Sequence, residues 1–236
     1  MALSETGKGY GWNRPEDGRQ LKEMWERIHF FMRGQYDPAW KDENVVPVLK
    51  EMSEKGELGE VVVDVGAGHS SLVRNLANKH TVGTMDIVRP SPTSPEHFAI
   101  QADLRSLDKP KRRTKKDLLQ AAHVLKERGL PRQVNTFVLA DTLNYIDYRK
   151  LLKELDIVLA PGGRLIIINE PGLGPGEFME PNATRLHRNS ELLSFLESPV
   201  PRGMGYFIER PRHRDSGYLD TMTDRLIVVA RKPLDF

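Results

Sequence analysis

A run of β-branched residues, Val61–Val62–Val63, passes through Asp64–Val65 into Gly66–Ala67–Gly68, and this junction limits what the chain can become. A segment that is apolar at consecutive positions forms a strand buried on both faces. Such a strand needs helices above and below it, which is the arrangement of a parallel sheet in an α/β protein. The glycines that follow allow a tight strand-to-helix turn and a close approach of backbone to ligand.

The pattern continues along the chain. Strands are expected over 81–86, 98–101, 136–140, 164–169, 206–209 and 225–230. Helices are expected over 19–33, 43–55, 70–79, 115–128, 148–155 and 190–197. The first helix stops at Gly34, and Pro38 is read as a block to its resumption. Thr114 and Asp117 make a capping box for the fourth helix. Alternating strands and helices imply a doubly wound, mostly parallel sheet. Residues 1–58 read as an N-terminal helical extension and a possible lid. Residues 59–236 read as the main domain, with an acceptor-pocket insertion around 171–201.

Composition removes several chemistries. There is no cysteine, so disulfides, thiolate metal sites and cysteine nucleophiles are excluded. The polar first 20 residues hold no apolar run, so no signal peptide is expected and the cytoplasm is the expected location. No stretch reaches the roughly 20 apolar residues of a membrane helix. The net charge of +2 carries no global nucleic-acid signal.

The glycine turn is open to two readings. A dinucleotide site wants a third glycine where Ser71 stands, and no Gly-Lys-Ser/Thr follows for a P-loop. Phosphate binding at this turn is therefore disfavoured. A cationic nucleoside fits better. Asp64 ends the first strand and can help hold a cationic group. Asp86 ends the second strand, where an acid accepts from ribose hydroxyls. Asp103 follows the third strand and is placed to accept from an adenine amino group.

Val62–Val63–Asp64–Val65–Gly66–Ala67–Gly68 resembles the first motif of class I S-adenosylmethionine-dependent methyltransferases. Asp86 and Ala102–Asp103 match that family's ribose and adenine positions. Phe137–Val138–Leu139–Ala140–Asp141–Thr142–Leu143–Asn144–Tyr145 resembles its fourth strand and loop. Leu159–Ala160–Pro161–Gly162–Gly163–Arg164 resembles its turn into the fifth strand. The resemblance spans about residues 60–170. It implies a Rossmann-like sheet of seven strands whose last strand is antiparallel. It implies S-adenosyl-L-methionine as cofactor, held by Tyr36, Asp64, Gly66, Ala67, Gly68, Asp86, Ile87, Ala102, Asp103, Leu104 and Asp141.

The methyl acceptor is less legible. Asp141–Thr142–Leu143–Asn144 replaces the Asn/Asp-Pro-Pro-Tyr/Phe motif of amino-directed nucleic-acid and glutamine methylation. Asp141, Tyr145, Glu170 and His187 are the candidate bases or polar handles. A metal held by Asp141, Asn169 and Glu170 is the weaker reading, and none is expected. The basic run from Lys109 to Lys116 lacks interleaved aromatics and reads as a solvated loop rather than a nucleic-acid contact. The expected reaction is methyl transfer to oxygen or nitrogen of a small-molecule metabolite or natural product. An RNA or protein methyltransferase, or a non-catalytic cofactor-binding subunit, is the alternative. No membrane partner is expected, and a homodimer is compatible with the chain.

Overall fold

The computed structural model describes residues 38–68, 71–87, 97–102, 129–144, 146–169, 188–211 and 226–234, with the isolated positions 23, 104, 123, 126, 127 and 186. The first helix of this set, α1, spans Pro38–Glu54. It starts earlier than the pattern suggested. Pro38 opens this helix, because the first turn needs no intrahelical N–H donor. Val45, Val48, Leu49 and Met52 are buried at helical spacing along one side. Pro47 lies inside the helix but is exposed, away from that stripe.

Seven strands follow in the order β3-β2-β1-β4-β5-β7-β6. They are β1 (Val61–Val65), β2 (Thr81–Asp86), β3 (Phe98–Gln101), β4 (Val134–Ala140), β5 (Leu159–Asn169), β6 (Phe207–Pro211) and β7 (Leu226–Arg231). Pairs β1–β2, β1–β4, β2–β3 and β4–β5 are parallel. Strand β7 is antiparallel to both β5 and β6. This is the doubly wound, Rossmann-like sheet that the sequence implies. Helix α2 (Tyr148–Val158) precedes β5, and helix α3 (Asn189–Glu197) precedes β6. Asp147 caps α2 by accepting the Lys150 N–H.

Alternate residues of each strand point to opposite faces, and the two faces carry separate cores. Val61, Val63, Val65, Leu165, Ile167 and Val228 pack with Leu151, Leu152 and Leu155 of α2 and with Leu192 and Leu196 of α3. Val62, Ile166, Ile168, Ile227 and Val229 pack with the apolar stripe of α1. Helix α1 is therefore part of a core cluster of the sheet.

Two local differences from the sequence pattern have physical causes. Residues 74–76 form a single 3-10 turn in place of the helix expected over 70–79. Within 71–73, side chains capture the backbone donors. The Asp64 carboxylate accepts the Leu72 N–H, and the Ser71 hydroxyl accepts the Val73 N–H, which competes with helical bonding. Strand β5 begins before Pro161–Gly162–Gly163. The register slips there, with Val134 opposite Leu159 and Thr136 opposite Arg164. The extra residues bulge out through Gly162, at φ +71°.

Gly163 closes this bulge against backbone. A Cβ there would lie 2.7 Å from the Ala160 carbonyl oxygen and 2.9 Å from that of Asn135. Carbonyls held in a sheet cannot swing aside cheaply. Gly163→Ala should lower unfolding free energy by about 1–3 kcal/mol in urea titrations. An unchanged midpoint would show that the bulge adjusts freely.

Candidate active site

The site is assembled at the carboxyl ends of β1, β2 and β4, where open α/β sheets bind ligands. Asp64 is the most constrained of its residues. Its side chain is 2% exposed, and one carboxylate oxygen accepts from the Ser71 hydroxyl at 3.0 Å and the Leu72 N–H at 2.7 Å. Burial raises its pKa to about 6. The Leu72 and Ser71 hydrogen bonds and the Lys41 cation oppose that rise, and the Asp86 charge adds to it.

The glycines set the turn. Gly66 has φ +77° and donates its N–H to the Met85 carbonyl at 2.7 Å. A Cβ on Gly66 would collide with Thr142 Oγ1, so the loop after β4 sits directly against the turn after β1. Thr142 fastens this contact by donating its hydroxyl to the Val65 carbonyl at 2.8 Å. Gly68 has φ +59°, and its N–H donates to Asp86 Oδ2 at 2.9 Å. Asp86 is buried at the end of β2, and its own carbonyl accepts from the Ala102 N–H. Ile87 is half-buried beside it, and its carbonyl accepts from the Gln101 side chain.

Asp141 follows β4 with φ +57°, a left-handed conformation that a short polar side chain tolerates better than most. Its N–H donates to the Ile168 carbonyl at 2.8 Å, which fixes it against β5. Oδ2 lies 3.1 Å from Lys41 Nζ of α1. Oδ1 is buried and makes no hydrogen bond among the described residues. Asn169, buried at the end of β5, donates to the Asn189 side chain at 3.3 Å.

The structure thus brings Asp64, Gly66, Ala67, Gly68, Asp86, Ile87, Ala102 and Asp141 to one end of the sheet. Leu104 is half-buried and packs against the core cluster on the α2 side. Tyr36, Asp103, Tyr145, Glu170 and His187 lie outside the described residues, as does the basic run. Among the described residues, no group of three or more His, Asp or Glu side chains could hold a metal ion. No described helix is long and apolar enough to cross a membrane. Sequence reasoning missed Lys41 and Thr142. A lysine on an exposed-looking helix and a threonine in a loop carry no signal of their own. Only the folded chain places them against Asp141 and Gly66.

No protein-family model and no curated protein sequence matches the chain. Solved structures do. The 1,6-didemethyltoxoflavin-N1-methyltransferase of Burkholderia thailandensis, solved with 1,6-didemethyltoxoflavin and S-adenosylhomocysteine, is similar at TM-score 0.53 and 19% identity, over 90% of this chain and 87% of that one. The N-methyltransferase NodS of Bradyrhizobium japonicum is similar at TM-score 0.51 and 13% identity, over 84% and 98% respectively. The carbon methyltransferase CurJ is similar at TM-score 0.51 and 13% identity, over 80% of this chain and 53% of that one. The chain has the class I methyltransferase fold.

Two outcomes follow from the site. The Asp64 carboxyl holds its proton to about pH 6 in the folded chain, against an ordinary value of 3.8. The stability it adds is fully present below that ordinary value and is lost as pH rises through about 6. The stability of the parent relative to Asp64→Asn should therefore fall across that window and then level off. Urea unfolding at a series of pH values measures it, and a flat difference would remove the assignment. The Lys41–Asp141 pair should show a coupling of about 1–2 kcal/mol in a double-mutant cycle with Lys41→Met and Asp141→Asn. Strict additivity would mean that the pair does not hold the site together.

Proposed function

We infer that this chain is an S-adenosylmethionine-dependent methyltransferase that methylates oxygen or nitrogen of a small-molecule metabolite or natural product. The observation that carries the reading is the joining of Asp86 to Gly68. It sets an acid from the end of β2 beside the positive-φ turn that ends β1. An acid at that place accepts from ribose hydroxyls, and the turn lets backbone approach the ligand.

The donor set fits S-adenosylmethionine. Three carboxylates, Asp64, Asp86 and Asp141, stand at or just after the carboxyl ends of β1, β2 and β4, which suits a ligand with a positive sulfur and an ammonium group and does not suit a pyrophosphate. When bound, the cofactor supplies a methyl group on that sulfur. Asp86 would hold the ribose, and Gly66, Ala67 and Gly68 would line the methionine side. Asp64 acts one step back, by holding the Ser71–Leu72 segment through two hydrogen bonds. Asp141 is the candidate base for a proton leaving the acceptor. Its Oδ2 faces Lys41. Within residues 1–58, α1 is part of the core and contributes Lys41, so in this reading the lid is left to the segment before it. The small-molecule acceptor draws support from the named substrate of the Burkholderia enzyme.

S-adenosylhomocysteine should raise the melting temperature, and NADH should not. Asp86→Ala should weaken S-adenosylhomocysteine binding by about 1.5–3 kcal/mol in calorimetry. Equal stabilisation by NADH, or unchanged affinity in the variant, would overturn the reading.

A further inference from the structure

Helices α2 and α3 cover the same face of the sheet, and an open surface depression of about 330 Å³ lies beside them, with Arg149, Ser190, Ser194 and Arg202 exposed along it. Ser190, Ser194 and Ser198, spaced one helical turn apart along α3 and its C-cap, line it; the Ser198 hydroxyl donates to the Ser194 carbonyl at 2.6 Å, which leaves those of Ser190 and Ser194 as donors. Arg149 of α2 and Arg202 supply cations, and Glu191 is the one carboxylate among the described lining residues.

Arg149 is held in place by its surroundings. Its Nε donates to the Tyr148 hydroxyl at 3.0 Å, and its guanidinium carbon sits 5.5 Å from the Tyr148 ring centre and 5.7 Å from that of Phe195. The two rings meet edge to face at 5.7 Å. Lys153 lies one turn further along α2, 5.7 Å from the Phe195 ring centre, and donates to the Pro201 carbonyl beside Arg202. Neither Arg149 nor Arg202 has a carboxylate partner among the described residues. Arg164 and Arg231, in contrast, share Glu209. A guanidinium fixed through Nε and its faces keeps its terminal N–H groups for a ligand.

We propose that this cavity binds a phosphoryl group carried by a small molecule. Two guanidinium forks and a row of hydroxyls match the several acceptor oxygens of a phosphate. The volume is at the small end of ligand pockets and suits a single phosphoryl-bearing group.

Calorimetry on the full chain with inorganic phosphate and pyrophosphate, at ionic strength matched with sodium chloride, tests the site. Saturable binding is expected. Arg149→Gln with Arg202→Gln should weaken it about tenfold or more, with S-adenosylhomocysteine affinity unchanged. Arg202→Glu alone, at an exposed position, keeps the test open if loss of the Arg149 ring contacts prevents folding. Absence of binding beyond the chloride control, or full binding in the variants, overturns the proposal. Tighter binding of a single-stranded oligonucleotide, with a salt dependence of several phosphates, also overturns it. Phosphate binding without any S-adenosylhomocysteine binding upholds the cavity and removes the methyl-transfer reading.

Discussion

The cleft depends on one buried carboxylate. Asp64 sits at the centre of the sheet, between β2 and β4, where an ionised group is costly unless its oxygens are satisfied. It meets that cost by taking the Ser71 hydroxyl and the Leu72 N–H, and in doing so it bends the chain back toward the end of β1. The same bonds take backbone donors away from helix formation, so the segment after the turn settles as one tight turn. The charge of Asp64 is then felt by Asp86 on one side and Lys41 on the other. A single side chain thereby ties the turn, the neighbouring strand and the N-terminal helix into one electrostatic unit.

Around that unit, the alternation of side chains along β1, β5 and β7 divides the interior into two cores. Helices α2 and α3 fill one, and α1 fills the other. Asp64 shares its face with Val62 and lies on the α1 side, which explains why a lysine of α1 can reach Asp141. The packing that buries Val45, Leu49 and Met52 also sets where the Lys41 ammonium stands. Stability and site geometry share the same helix.

Much of this was legible in the sequence because the signals are local. The Val61–Val65 run, its glycines and the acids at successive strand ends obey short-range rules of burial and backbone freedom. They led directly to β1, β2, β3 and the turn. The bulge at Gly162, the length of α1 and the missing helix after Ser71 were not legible. The bulge is decided by Asn135 packed against Gly163, and the missing helix by the Asp64–Leu72 hydrogen bond across the turn, contacts that the local pattern does not carry. Lys41 and Thr142 were invisible for the same reason. Asp141 was identified by its place after β4, yet its left-handed backbone and its lysine partner belong to the tertiary structure alone.

The order of strands has a consequence for how the chain is made. Strand β7 lies between β5 and β6, although it follows both in sequence. While the polypeptide emerges from the ribosome, β6 has no neighbour to pair with, and the outer edge of β5 stands open until residues 226–231 arrive. That edge belongs to a strand with Leu165, Ile166, Ile167 and Ile168 in succession, the kind of surface on which nascent chains associate wrongly. The insertion of β7 closes both exposures together. Biosynthesis thus leaves the Leu165–Ile168 run to be protected by a segment translated well after it, a period in which a chaperone has a defined surface to shield.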